Sequence, residues 1–150
     1  MKHKLSPTEK LLINKKPLDR LPLTEALSVM VQSNNDVIEA VNLVLSDIEK
    51  IILTIYQRLF NTNDGRLIYA GAGTSGRIGV QDGVELYPTF GWPLERVAFL
   101  IAGGQRALTA SIENAEDDVI ASKKKVKALK VNSNDIVIGL AASGNTPFTN

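Results

Sequence analysis

The stretch Leu67-Ile-Tyr-Ala-Gly-Ala-Gly-Thr-Ser-Gly-Arg77 constrains this chain more than any other. A short apolar run leads into a loop with three glycines and two hydroxyls, and then into residues suited to a helix start. Such a segment delivers a buried strand to a helix N-terminus. Free backbone N–H groups and the positive end of the helix dipole then face whatever binds there. Phosphate is the ordinary ligand of such a place.

Two more apolar runs follow: Val97-Ala-Phe-Leu-Ile101, closed by Gly103-Gly104, and Ile136-Val-Ile-Gly-Leu-Ala141. With a first strand at about 66–70, the patterns between them predict helices over 75–85, 105–112 and from about 115 to 129. Strands that alternate with helices predict an α/β fold with a doubly wound parallel sheet, covered on both faces. With three strands the sheet is partial, and an edge strand is exposed. The last strand opens into Ala142-Ser143-Gly144-Asn145-Thr146-Pro147, a second small-residue hydroxyl loop at the end of the chain, so the sequence reads as cut off before a following helix.

The preceding residues form a helical segment. Residues 1–22, with Pro7, Pro17 and Pro22, read as an extended arm. Thr24 is placed to cap a short helix to about Gln32. Ser33-Asn34-Asn35-Asp36 reads as a break, and 36–60 as a long helix with Val37, Val41, Val44, Ile48 and Ile51 on one face. Such a rod is about 37 Å long, more than a small domain needs; either it packs partly on a second subunit or its far end frays. The expected organisation is an N-terminal arm with helices over 1–60 and a partial sheet domain over 61–150.

Composition removes several classes of chemistry. The chain of 150 residues has a formal charge of +1, no cysteine and a single histidine. Disulfides, thiolate chemistry and a Cys-based zinc site are excluded, and the lack of cysteine suits a reducing cytoplasm. His3 lies near the terminus, so neither a His-based metal site nor a Ser-His-Asp triad is expected. No apolar run reaches the length of a membrane span. Lys123, Lys124 and Lys125 lack interleaved aromatic residues and read as a solvated helix face, which leaves no nucleic-acid or membrane partner.

Gly71-Ala-Gly73-Thr74-Ser75-Gly76 formally matches G-x-G-x-x-G in a strand-to-helix context. A dinucleotide site then needs an acid at the end of the second strand, for the ribose. That strand ends Leu100-Ile-Ala-Gly-Gly104, without one. Thr74 and Ser75 instead add hydroxyl donors, which favours a compact phosphate monoester. No Gly-Lys-Ser/Thr follows, so this is not a P-loop. Ser143-Gly144-Asn145-Thr146 stands at the same sheet edge, and two hydroxyl loops there favour a sugar phosphate. Glu85 and Glu116 are the acids to weigh: Glu85 reads equally as a solvated helix end, and Glu116 as an acid that offsets a helix dipole.

These blocks, together with Pro88-Thr-Phe-Gly91, Glu113-Asn-Ala-Glu-Asp-Asp118, Gly139-Leu-Ala-Ala-Ser-Gly144 and Thr146-Pro147, resemble the N-acetylmuramic acid 6-phosphate etherase family, whose core is a sugar isomerase (SIS) domain. The likeness runs in order from about Thr8 to the last residue and is much more specific than the glycine pattern. It implies cleavage of the D-lactyl ether of N-acetylmuramate 6-phosphate to N-acetylglucosamine 6-phosphate and D-lactate, in cell-wall sugar recycling. It also implies no metal, no organic cofactor and a homodimer. Glu85 matches the family's proton donor and Glu116 its second catalytic glutamate, the base. Gly73, Thr74, Ser75, Gly76, Ser143, Gly144 and Thr146 match the phosphate-binding loops.

Three places depart from the family's pattern. Around Glu85 the family reads Ser-Glu-Cys-Pro-Pro, where this chain has Val84-Glu85-Leu86-Tyr87-Pro88; Gln105 replaces an acid, and Asn145 an arginine. The family protein is about twice as long, so the chain resembles its N-terminal half. A non-catalytic sugar-phosphate-binding regulatory module, like the animal glucokinase regulator, is the alternative.

Spacing adds one expectation. Ser75 and Glu85 lie about 15 Å apart on an unbroken helix. Either that helix ends early, near Gly83, or Glu85 serves a partner subunit's site.

Overall fold

The computed structural model describes residues 16–150. Most of the expected N-terminal arm therefore lies outside the described residues; its last part holds one 3-10 turn, Leu18–Arg20. The chain divides into two compact units, one that ends at Tyr56 and one over Gln57–Asn150.

In the first unit, helix α1 spans Leu23–Leu43 and helix α2 begins at Leu45, running to Phe60. This corrects the expected break at 33–36 and the cap at Thr24. Pro22 occupies the cap position, and Ser33 and Asn34 lie inside α1. Their side chains turn back onto the helix: Ser33 Oγ donates to Met30 O at 2.7 Å, and Asn34 Nδ2 to Met30 O at 3.2 Å and Val31 O at 3.1 Å. Short polar side chains that satisfy helix carbonyls in this way need not end the helix. The interruption falls instead at Val44, whose N–H bonds to Val41 O. No residue of α1 is buried, and apolar side chains such as Leu27, Ile38 and Ile51 remain more than half exposed.

The second unit is built on a parallel sheet of order β2-β1-β3, with β1 at Leu67–Gly71, β2 at Val97–Ile101 and β3 at Ile136–Leu140. Tyr69 is level with Phe99 on one side and Ile138 on the other. Helix α3, Gly73–Phe90, follows β1, and helix α4, Val119–Ala128, precedes β3. The strands match the sequence reading to within a residue. The helix expected over 105–112 is only a 3-10 turn, Gln105–Leu108, and the one expected from 115 is a 3-10 turn, Ala115–Asp117, followed by α4.

Alternation along β1 sorts its side chains between two layers. Ile68 and Ala70 form a core with Leu100, flanked by Ala98, Leu129 and Val131. Tyr69 points the other way, toward α3. It stacks on Phe99 with ring centroids 6.0 Å apart, and its hydroxyl donates to Asp82 Oδ2 at 2.7 Å. Burial, and then the bond to Asp82, push this phenol well above its ordinary range. β3 alternates between half-buried and exposed residues, so one face of this edge strand stays open at Val137.

α3 is longer than expected. It passes through Gly83 and carries Pro88 in its last turn, where a missing N–H costs one intrahelical bond. It stops at Gly91, whose φ of 66° closes the end: Gly91 N donates to Tyr87 O and Trp92 N to Leu86 O. The alternative of an early end near Gly83 is thereby overturned.

An ion pair, buried at Asp135 and partly exposed at Arg66, ties the start of β1 to the start of β3. Asp135, 5% exposed, accepts from Arg66 Nε at 3.0 Å, Arg66 Nη2 at 2.7 Å, Arg66 N at 3.0 Å and Asn132 N at 3.0 Å. The Arg66 guanidinium, opposed by burial and helped by the backbone donors, holds this carboxyl down at about 2. Removing one partner of a buried pair leaves the other uncompensated, so Asp135→Ala is expected to cost about 3 kcal/mol at neutral pH. The folded carboxyl titrates below its unfolded value of about 4. The advantage of the wild type is therefore complete above that pH and is lost as pH falls toward about 2. Urea denaturation of both proteins across this range measures it.

Candidate functional site

The chain leaves β1 toward β2 on one side and later returns to place β3 on the other. Strand order therefore reverses between β1 and β3, and in open α/β sheets ligands bind in the crevice at the carboxyl ends of such strands. A cavity of about 460 Å³ lies there, walled by the loop after β1, the loop after β3 and the turn before α4.

The first wall comes from Gly73, Thr74 and Ser75. The first N–H groups of α3 have no partner inside the helix, and its N-cap residue, Ala72, supplies no side-chain acceptor. Gly73 enters with φ of 52°, which favours glycine. Gly76 stands behind the wall, buried, where it brings the helix down onto the strand. A Cβ at Gly76 would meet Gly71 C and O at 2.9 Å, with only backbone to yield.

The second wall comes from Ser143, Asn145, Thr146 and Pro147. Gly144, between them, has φ of 67° and donates its N–H to Ala141 O, which folds the loop back. The third wall holds Glu116 and Asp117. The second and third walls are latched together: Phe148 is buried, its N donates to Glu116 O at 2.8 Å, and its carbonyl accepts from Ser122 Oγ at 2.7 Å.

Two hydroxyls are oriented by donors behind them. Thr74 Oγ1 accepts from Arg77 Nη2 at 3.1 Å, and Ser143 Oγ accepts from Asn145 N at 3.2 Å. Each oxygen is thus engaged as an acceptor, and its own hydrogen is left to donate outward. Arg77 is held in place by Nη1, which donates to Ala107 O at 2.9 Å. The cavity therefore has a donor side, suited to an anion, and an acid side.

The structure brings Gly73, Thr74, Ser75, Ser143, Thr146 and Glu116 together on one cavity. It puts Gly76 and Gly144 in supporting positions and leaves Glu85 apart. Glu85 is exposed on α3, about 15 Å along the axis from Ser75, and borders none of this cavity. Arg77 and Asp117 are participants that sequence reasoning missed. The residue at 77 follows the glycine motif directly, yet its partner Ala107 lies 30 positions away and has no sequence signal. Among the described residues, no group of three or more His, Cys, Asp or Glu is arranged to hold a metal ion. No helix among them is long and apolar enough to cross a membrane.

Comparison with known proteins matches this architecture. The family model of the glucokinase regulatory protein N-terminal SIS domain matches residues 47–150. The chain belongs to this SIS-domain family. The SIS domain here is also similar to curated etherases. An N-acetylmuramic acid 6-phosphate etherase from Lactococcus lactis subsp. lactis is 47% identical over 131 residues, 87% of this chain and 43% of that protein. The N-acetylmuramic acid 6-phosphate etherase 2 of Enterococcus faecalis is 47% identical over 141 residues, 94% of this chain and 47% of its own. The Pasteurella multocida etherase is 44% identical over 131 residues, again 87% of this chain and 43% of that protein. The resemblance read from the motifs thus holds over most of the chain. The chain spans less than half the length of these relatives.

The close strand–helix contact predicts the effect of one methyl group. Gly76→Ala forces the start of α3 away from Gly71 and is expected to destabilise the fold by about 1–3 kcal/mol. Denaturation midpoints at a common m-value check it.

Proposed function

We propose that the cavity between β1 and β3 binds a sugar 6-phosphate and that the chain takes part in cleavage of the D-lactyl ether of N-acetylmuramate 6-phosphate. The observation that carries this reading is the pairing, in one cavity, of loop hydroxyls and an uncapped helix N-terminus with Glu116 on another wall. The etherases that the chain resembles support the choice of substrate.

The phosphate rests on the N–H groups of Gly73, Thr74 and Ser75 and on the hydroxyls of Thr74, Ser75, Ser143 and Thr146. Gly76 and Gly144 shape the two loops. In the opened sugar, Glu116 takes the proton beside the aldehyde, and the C3–O bond breaks as a double bond forms between C2 and C3. An acid gives a proton to the departing lactyl oxygen, and water then adds across the double bond. The products are N-acetylglucosamine 6-phosphate and D-lactate, in cell-wall sugar recycling in the cytoplasm. No metal or organic cofactor takes part.

Glu85 is the acid, and it acts in the site of a second copy. Its distance from Ser75 along one unbroken helix supports this, as do the apolar side chains of α1 and α2 that stay exposed in a single chain. A homodimer brings each Glu85 to the other chain's Glu116.

A second reading is a sugar-phosphate-binding regulatory module without turnover. The match to a regulatory protein's SIS domain and the separation of Glu85 from the cavity favour it.

Lactate release from N-acetylmuramate 6-phosphate tests the enzyme reading. Glu85→Gln and Glu116→Gln are each expected to lower the rate by about 10²–10⁴-fold. Mixing the two variants restores roughly a quarter of the wild-type rate, since half of the mixed dimers are hybrids with one intact site of two. No recovery on mixing contradicts the shared site. Sugar-phosphate binding without lactate release favours the regulatory module.

A further inference from the structure

A second cavity, of about 250 Å³, adjoins the first and shares Ala72, Gly73 and Glu116 with it. Five alanines, Ala72, Ala102, Ala107, Ala110 and Ala115, line part of it, and Ser111, Glu113 and Asn114 make the rest of its lining largely polar. Among the described residues, Arg77 is the one cation that lines either cavity. Two of its N–H groups are committed, to Ala107 O and Thr74 Oγ1. A guanidinium has five, so three remain. Arg77 makes no ion pair with any described residue. Glu113, on the same wall, accepts from Ser111 Oγ at 2.9 Å rather than from Arg77.

We propose that this smaller cavity is a carboxylate subsite in which Arg77 binds the acid end of the substrate's lactyl group. The proposal rests on the sugar-phosphate reading of the larger cavity. The two cavities then divide one ligand: the phosphorylated sugar in the larger, the three-carbon acid in the smaller, and Glu116 at the wall common to both, beside the bond that breaks. The small side chains of Ala102, Ala107 and Ala110 leave room for the lactyl methyl group. A planar guanidinium with free N–H groups matches a carboxylate, and such charge-assisted bonds are among the stronger ones. Glu113 and Glu116 repel a second anion, which confines the carboxylate to the Arg77 end. The same fixed guanidinium orients the Thr74 hydroxyl, so the two subsites are coupled through one side chain.

Equilibrium titration of the full chain tests this in a Glu85→Gln background, which slows turnover and leaves both cavity walls of the chain intact. The ligands are N-acetylmuramate 6-phosphate, its lactyl amide, and N-acetylglucosamine 6-phosphate, which lacks the lactyl group. The acid is expected to bind about tenfold more tightly than either of the others. Arg77→Gln is expected to erase that preference while N-acetylglucosamine 6-phosphate still binds in preference to the unphosphorylated sugar. Arg77→Lys, which keeps the charge without the fork, retains part of the preference. Equal affinity for acid and amide, or a preference that survives Arg77→Gln, overturns the carboxylate subsite and leaves the phosphate reading standing. No binding of N-acetylglucosamine 6-phosphate while Arg77 is in place overturns the phosphate reading and this subsite with it.

Discussion

The contact between Gly71 and Gly76 is the constraint on which the rest depends. The last residue of the central strand and the first turn of α3 meet backbone to backbone, closer than any side chain allows. Gly71 also passes its carbonyl to Ala102 N at 3.0 Å, which sets the end of β2 against the same point. With the helix start fixed there, the N–H groups and hydroxyls of Thr74 and Ser75 are carried at the sheet edge. They need no loop flexibility to reach a ligand, and a preorganised donor set loses less entropy on binding.

Sheet order supplies the second half of the site. Because β3 lies on the far side of β1 from β2, its trailing loop comes to rest opposite the α3 N-terminus. The Arg66–Asp135 pair fixes where β3 begins, and the Phe148 latch fixes where its trailing loop ends. Between these anchors the hydroxyl of Ser143 and the carboxylate of Glu116 have little freedom to drift apart. The cavity is thus a consequence of how three short strands are ordered and tied.

Much of this was legible from residues alone. Strand positions followed from continuous apolar runs, and the glycine loop foretold the α3 start, because such patterns report local backbone needs. Where a side chain found its partner did not follow. Ser33 and Asn34 look like helix breakers, but they bond to Met30 and Val31 and leave α1 whole. Pro88 looks like a terminator, yet the last turn of α3 tolerates it before Gly91 closes the helix. Glu116 and the two loops line one cavity. Arg77 escaped notice because the carbonyl that anchors it, Ala107 O, comes from a turn 30 residues away. The place of Glu85 depended on where α3 stops, a length that pattern did not determine.

The central claim, that the switch-point cavity is a sugar-phosphate cradle, is tested most directly by backbone amide chemical shifts of the 150-residue chain during titration. N-acetylglucosamine 6-phosphate is predicted to shift the amides of Gly73, Thr74, Ser75 and Ser143 saturably, and unphosphorylated N-acetylglucosamine to leave them in place. Equal responses to both sugars, or shifts confined to residues outside the two loops, would contradict it.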